Sequence, residues 1–452
     1  MRVALAPIED GFRIDTSGQS TLGPFEGVIN LFQQSGGPTR LAIERLDVWQ
    51  TSVSGDLTLA DGGADGMLRL RGGGLDGVIA LVPQGGRQGV AVDLTARNAS
   101  FGGATPIAIG YADIDLRGGF GGGTTTLQGE VRAQGVSYGT LFLGRVSADA
   151  QVTNGTGTFD AAIAGRRNSG FQIQLNGQFA PERIAVAARG EFDGKAITMP
   201  RRAVLTRTED GGWNLARTQV SFGGGTVLVS GRMGGDEPPQ GNLQLADMPL
   251  SLIDVAGLEL GLGGTISGVV EVGAAEGGQA IGEARVMVNG LTRSGLVLTS
   301  RPINVALVAD LSPDLLQLRA AMRGTETQYG RAQLRVANLP ARGGLVDRLL
   351  EGAMLAQLRY QGPASALWRL AALEAFDITG ELSVAANARG TLSNPIVRGS
   401  LGGDALRVRS SLTGTDIRDV RARGTFEGSR LQLTSFSGTA ANGGSVRGSG
   451  QV

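Results

Sequence analysis

Cysteine and histidine are both absent from the 452 residues, lysine occurs once, as Lys195, and aromatic residues make up only 5%. Without cysteine and histidine the chain lacks the usual soft metal ligands, thiol nucleophiles and the commonest general base. No disulfide is available, so burial and sheet hydrogen bonds must hold the fold. Scarce aromatics leave Leu, Val, Ile and Ala to build the interior, where a closed sandwich ordinarily uses more bulky rings. An excess of one charge is also missing. Acidic and basic residues balance at 41 each, and no basic run is interleaved with aromatics, which argues against nucleic-acid binding. No segment approaches the roughly 20 apolar residues of a membrane helix. The longest apolar runs, such as Val78 to Pro83, are strand-sized.

Glycine, by contrast, is abundant, at 75 residues, and many glycines open segments in which apolar and polar residues alternate. Val90, Val92, Leu94 and Ala96 alternate with Ala91, Asp93, Thr95 and Arg97; Phe171, Ile173, Leu175 and Phe179 with Gln172, Gln174, Asn176 and Gln178. The same holds for Leu316, Leu318, Ala320 and Met322, for Ala332, Leu334 and Val336, and for Leu382, Val384, Ala386 and Ala388. A period of two puts apolar side chains on one face of a strand and polar ones on the other. Repeated from end to end, the pattern predicts an all-β chain of about 25 to 30 strands in a long antiparallel sheet. Asp61-Gly62-Gly63, Asp193-Gly194, Asp210-Gly211-Gly212 and Asn289-Gly290 are hairpin-turn signals.

The texture is uniform, with no linker or charge block, and reads as one elongated array over residues 1–452. Helical texture intrudes near 345–375. Leu345 to Leu358 predicts one helix, and Pro363 at a first helical position predicts another over Ala364 to Ala375. Leu250 to Gly257, after Pro249, is a shorter candidate. Such helices pack on a sheet end or bend, or cap the apolar face. The termini, Met1-Arg2-Val3-Ala4-Leu5-Ala6-Pro7 and Ser445 to Val452, carry no signal peptide and stop inside strand-like texture. The chain therefore reads as an internal piece of a longer protein.

Motifs of catalytic or cofactor sites do not survive inspection. Gly72-Gly73-Gly74-Leu75-Asp76-Gly77 matches a dinucleotide fingerprint, but Val78 to Pro83 continues as a strand where a helix must begin. Gly194-Lys195 is followed by Ala196 rather than Ser or Thr, so it is no phosphate loop. Glu209-Asp210 and Asp236-Glu237 lie in turn-like polar stretches, as solvated turn residues do. No catalytic, cofactor or metal residue is expected, and no enzymatic activity.

The apolar stripe is the constellation with chemical content. Its faces cover one another in a two-layer sandwich or barrel, or they line an open sheet that carries apolar ligand, since bare apolar surface of this extent aggregates. On the second reading Val90, Val92, Leu94, Phe171, Ile173, Leu175, Phe179, Leu316, Leu318, Leu334, Val336, Leu382 and Val384 form the lining.

The C-terminal part carries a resemblance. Gly390-Thr391-Leu392-Ser393-Asn394-Pro395-Ile396-Val397-Arg398-Gly399 precedes Gly424-Thr425-Phe426-Glu427-Gly428-Ser429-Arg430-Leu431. Upstream, Trp213-Asn214-Leu215 leads into Phe222-Gly223-Gly224-Gly225, and Met248-Pro249-Leu250-Ser251-Leu252-Ile253 into Gly264-Thr265-Ile266-Ser267-Gly268. In this order the phrases resemble the TamB branch of the AsmA-like family, from the translocation and assembly module. The resemblance implies a long sheet folded over as an elongated β-taco groove with a few short helices, without cofactors. It implies a conduit moving phospholipid by its acyl chains between inner and outer membranes, in the periplasm of a Gram-negative cell. The family's inner-membrane anchor, and its C-terminal domain that engages an outer-membrane barrel partner, are not in this stretch. A scaffold for assembling outer-membrane barrels and autotransporters is the alternative that a free sheet edge allows. A surface β-solenoid is a further one, although the wandering repeat spacing and sparse asparagine fit it poorly.

Overall fold

The computed structural model describes residues 2–20, 23–33, 37–60, 63–102, 105–167, 169–252, 261–294, 301–324, 327–370, 376–410, 413–428 and 430–451. Strand accounts for 78% and helix for 3%, and the fold is all-β and antiparallel as expected. By internal contacts the chain divides into two compact units, residues 1–207 and 208–452.

Unit 1 holds strands β1 to β16. They are Arg2–Ile8, Gly11–Ser20, Gly23–Phe32, Thr39–Val48, Thr51–Ala60, Gly63–Gly72, Leu75–Gln84, Arg87–Phe101, Ile107–Phe120, Thr126–Tyr138, Leu141–Thr153, Thr156–Arg167, Ser169–Ala180, Arg183–Phe192, Lys195–Thr198 and Ala203–Arg207. From β1 to β14 each strand pairs with the next. The two short strands then share one edge: β15 pairs with Arg189–Phe192 of β14, and β16 with Arg183–Val186. Pro200 stands in the gap between them, where a residue without an N–H cannot continue a ladder.

Unit 2 holds β17 to β30, each pairing with the next. These are Trp213–Phe222, Gly225–Met233, Gln240–Pro249, Leu262–Ala274, Ala280–Arg293, Ile303–Ser312, Leu315–Arg323, Gln328–Ala337, Ala353–Pro363, Asp377–Gly390, Pro395–Ser410, Thr415–Gly428, Arg430–Ala440 and Ser445–Gln451. Helix α1 (Leu345–Glu351) lies between β24 and β25, and α2 (Ala364–Leu370) between β25 and β26.

The helix expected over Leu345 to Leu358 needs correction. It stops at Gly352, whose φ of −63° and ψ of 151° are extended, and the chain continues as β25. Met354, Ala356 and Leu358 repeat with period two, opposite Val336, Leu334 and Ala332 on one side and Gly390, Ala388 and Ala386 on the other. Two ladders outweigh helical propensity here. The helix after Pro363 forms over Ala364–Leu370; residues 371–375 lie outside the described residues. Of the candidate at 250–257, Leu250 and Ser251 sit in a turn, Leu252 is helical, and 253–257 lie outside the described residues.

Asp193-Gly194 makes the expected tight hairpin, with φ of 51° and 68°, both in the left-handed region that such turns require. Asn289-Gly290 does not turn the chain. It lies within β21, at a bulge between Val288 and Leu291, where the Gly290 N–H donates to Asn304 Oδ1. An extra residue with positive φ produces this kink without reversing the strand.

Candidate functional site: the apolar face of each unit

Directly opposed residues of an antiparallel sheet share a face, so the register locates the apolar stripe. In unit 1 one row runs Ile79, Val92, Leu116, Gly129, Ala150, Phe159, Gly177, Val186 without a polar side chain. In unit 2 another runs Val220, Val227, Leu245, Gly268, Val286, Leu307, Ala320, Ala332, Leu358, Ala386, Gly399, Phe426, Leu431. Every one of the thirteen lining residues read from the sequence lies on the apolar face of its unit.

Their surroundings differ. In unit 1, Val90, Val92, Leu94, Phe171, Ile173, Leu175 and Phe179 are half-buried, while Ala91, Asp93, Gln172, Gln174 and Gln178 are exposed. Among the described residues of this unit no helix lies on the face. A cluster of buried residues among the described ones is small: Ala96, Ala99, Ala112 and Ala133. The lining is also thin, because phenylalanines face glycines across the ladder. Phe159 opposes Gly177, Phe171 opposes Gly165 and Phe179 opposes Gly157. A Cβ built on Gly177 would stand 2.2 Å from the Phe159 ring, and one on Gly157 2.8 Å from that of Phe179. Each ring therefore lies down over bare backbone instead of projecting.

At the end of this face, Ala64 on β6 pairs with Leu59 of β5 but has no ladder partner on the β7 side, where Pro83 stands and pairing stops at Gly66 and Leu81. The Gln88 side chain substitutes from β8: its Oε1 accepts from Ala64 N at 2.6 Å and its Nε2 donates to Ala64 O at 2.9 Å. Buried backbone groups are thus satisfied without closing the face.

In unit 2, Leu316, Leu318 and Leu334 are half-buried, but Val336 is fully buried beneath the connector that carries Leu339 and Gly352. Leu382 and Val384 belong to a closed cluster with Tyr360, Ala364, Ala366, Leu401, Leu406 and Val420. Helix α2 lies on the apolar face there and touches β21, β25 and β26. Its first residues, Ala364, Ser365 and Ala366, are small and buried, which lets the helix seat closely on the sheet. Tyr360 donates from its hydroxyl to Pro363 O at 2.8 Å, and burial pushes its phenol well above its ordinary pKa. The alternating pattern placed these residues on the right face; the cover over them was signalled only by Pro363 and the small residues after it.

The opposite faces are charged. In unit 1 a row of carboxylates, Asp93, Asp115, Glu130, Asp149 and Asp160, crosses adjacent strands directly opposed, relieved by the Arg117–Asp115 and Arg132–Glu130 pairs. The acidic turns of unit 2 are structural. Asp210 accepts from Thr208 Oγ1, from the Asp236 N–H and from Arg232, joining two turns. Its carboxyl is held below the usual range, first by the Thr208 hydroxyl. The fingerprint-like Gly72 to Gly77 is the β6–β7 turn followed by strand β7. Among the described residues no cluster of three or more His, Cys, Asp or Glu could hold a metal ion. No described helix is long and apolar enough to cross a membrane.

Searches against protein-family models and curated proteins found no match to this chain.

Proposed function

We propose that this chain is a non-enzymatic conduit for phospholipid, carrying acyl chains along the apolar faces of its sheets between the two membranes of a Gram-negative envelope. The observation that carries this reading is the uncovered apolar row of unit 1, backed by charged residues on the other side. Apolar side chains are left half-exposed over many consecutive strands, and such a surface calls for an apolar occupant. Flat-lying phenylalanines over glycine leave room for one. The resemblance to TamB-like repeats points the same way and supports a periplasmic setting.

Native mass spectrometry of chain purified without detergent tests the reading. Wild type is expected to retain phospholipid, and Ile173→Asp to lose most of it while folding normally, because the carboxylate at a half-exposed position can stay hydrated. A lipid-free wild type whose Ile173→Asp variant unfolds would reject the conduit and favour a dry sheet. Cross-linking to nascent outer-membrane barrels with no bound lipid would select the scaffold instead.

A further inference from the structure

The rim of unit 2 around α1 has a composition that transport along the apolar face does not require. Arg348, 3% exposed, donates from Nε to Pro340 O at 2.6 Å and from Nη2 to Pro313 O. Ser393 Oγ donates to Leu350 O at 3.1 Å. These bonds pin α1 to the neighbouring turns, and Val346, 68% exposed, is turned outward with Leu345 and Leu350. On the polar face, a row close to this rim runs Gln317, Arg335, Leu355, Arg389, Ile396. Leu355 is 61% exposed. Arg319 and Arg398 stand in the next row, and Arg331 in the row beyond it. Among the described residues, none of the guanidinium groups of Arg319, Arg331, Arg335, Arg389 and Arg398 has an ion-pair or side-chain hydrogen-bond partner. Within these rows, from β23 to β27, no residue is a carboxylate, and it is this stretch that is basic. Its flanking carboxylates are Asp310, opposite Gln317, Glu427, opposite Arg398, Asp314 in the β22–β23 turn, and Asp347 and Glu351 on α1.

We infer that this rim docks on a bilayer surface bearing anionic phospholipid headgroups. Guanidinium groups match phosphate oxygens in a bidentate way. Exposed aliphatic side chains beside them enter the headgroup–acyl boundary, as in interfacial helices. Nucleic acid fits less well, because the patch holds no aromatic ring on which bases stack. Docking is independent of the conduit reading.

Co-flotation of the full chain with vesicles tests it. Binding is expected to vesicles of phosphatidylcholine with phosphatidylglycerol, to fall with added salt, and to be weak on phosphatidylcholine alone. The triple variant Arg335→Gln, Arg389→Gln, Arg398→Gln should bind the anionic vesicles on the order of a hundredfold more weakly. Val346→Asp should weaken binding without changing the melting temperature. All four positions are exposed, so folding is not at stake. Equal binding to both vesicle types, unchanged binding by the triple variant, or preferential capture of single-stranded DNA would overturn the inference. So would lipid extraction by the chain without flotation, which supports the conduit alone.

Discussion

Single residues set how thin the apolar lining is. Alanine at Gly177 meets the Phe159 ring, which can lift away, whereas alanine at Gly190 meets the carbonyl oxygen of Gln172 at 2.0 Å, and backbone cannot rotate aside. Overpacking costs about 1–3 kcal/mol. Chemical denaturation should therefore place Gly177→Ala near the lower figure and Gly190→Ala near the upper. On the charged face, Asp149 stands directly between Glu130 and Asp160. Like charges so opposed are destabilising by roughly 0.2–1 kcal/mol. Asp149→Asn should raise the melting temperature in dilute buffer, and the gain should fade in high salt as screening removes the repulsion. Asp416 is different, since Arg407 grips it with Nε and Nη2 at 2.8 and 2.7 Å. That bond lowers its carboxyl to about 2. A depressed carboxylate stabilises the fold above the ordinary Asp range, and the contribution is lost as pH falls through the folded value. The melting-temperature gap between wild type and Asp416→Asn should hold from neutral pH to about 5, then close toward pH 2.

At the scale of elements, α2 separates two kinds of lining residue that the sequence presents alike. Val384 and Leu318 both sit in alternating strands and both face inward. Val384 is packed under the helix and 6% exposed, while Leu318 is half-buried with no helix over it. Val384→Asp should cost about 3–5 kcal/mol, the penalty of an uncompensated buried charge. Leu318→Asp should leave the melting temperature nearly unchanged. Equal losses in a thermal melt of the two variants would mean that the open face is covered in solution. The same contrast explains the misread helix. A helical spacing in Leu345 to Leu358 competes with period-two alternation from Met354 onward, and Gly352, extended and unable to prolong the helix at low cost, lets the ladders on both sides of β25 prevail.

At the scale of the molecule, nearly all contacts between elements join consecutive strands, and the main exceptions are β14 with β16, α2, and β6 with β8. Such a chain behaves as a line of nearest-neighbour interactions more than as one cooperative core. Hydrogen exchange should be slowest in β25 to β28, where the cluster under α2 lies, and markedly faster in β1 to β5. Urea unfolding should be broad, with different midpoints at probes placed in the two regions. One sharp transition common to both would refute this.

What the sequence by itself determined follows from its period. Alternation assigned the face of Val92, Ile173, Leu334 and Val384 because successive strand side chains point to opposite sides, and paired turn residues such as Asp193-Gly194 reverse the chain locally. The tertiary structure alone decided which of those faces is covered. Whether α2 lies over Val384 or Gln88 reaches Ala64 depends on residues distant in sequence meeting across several strands. The alternation does not encode that approach, because it serves a packed core and an open lining equally well.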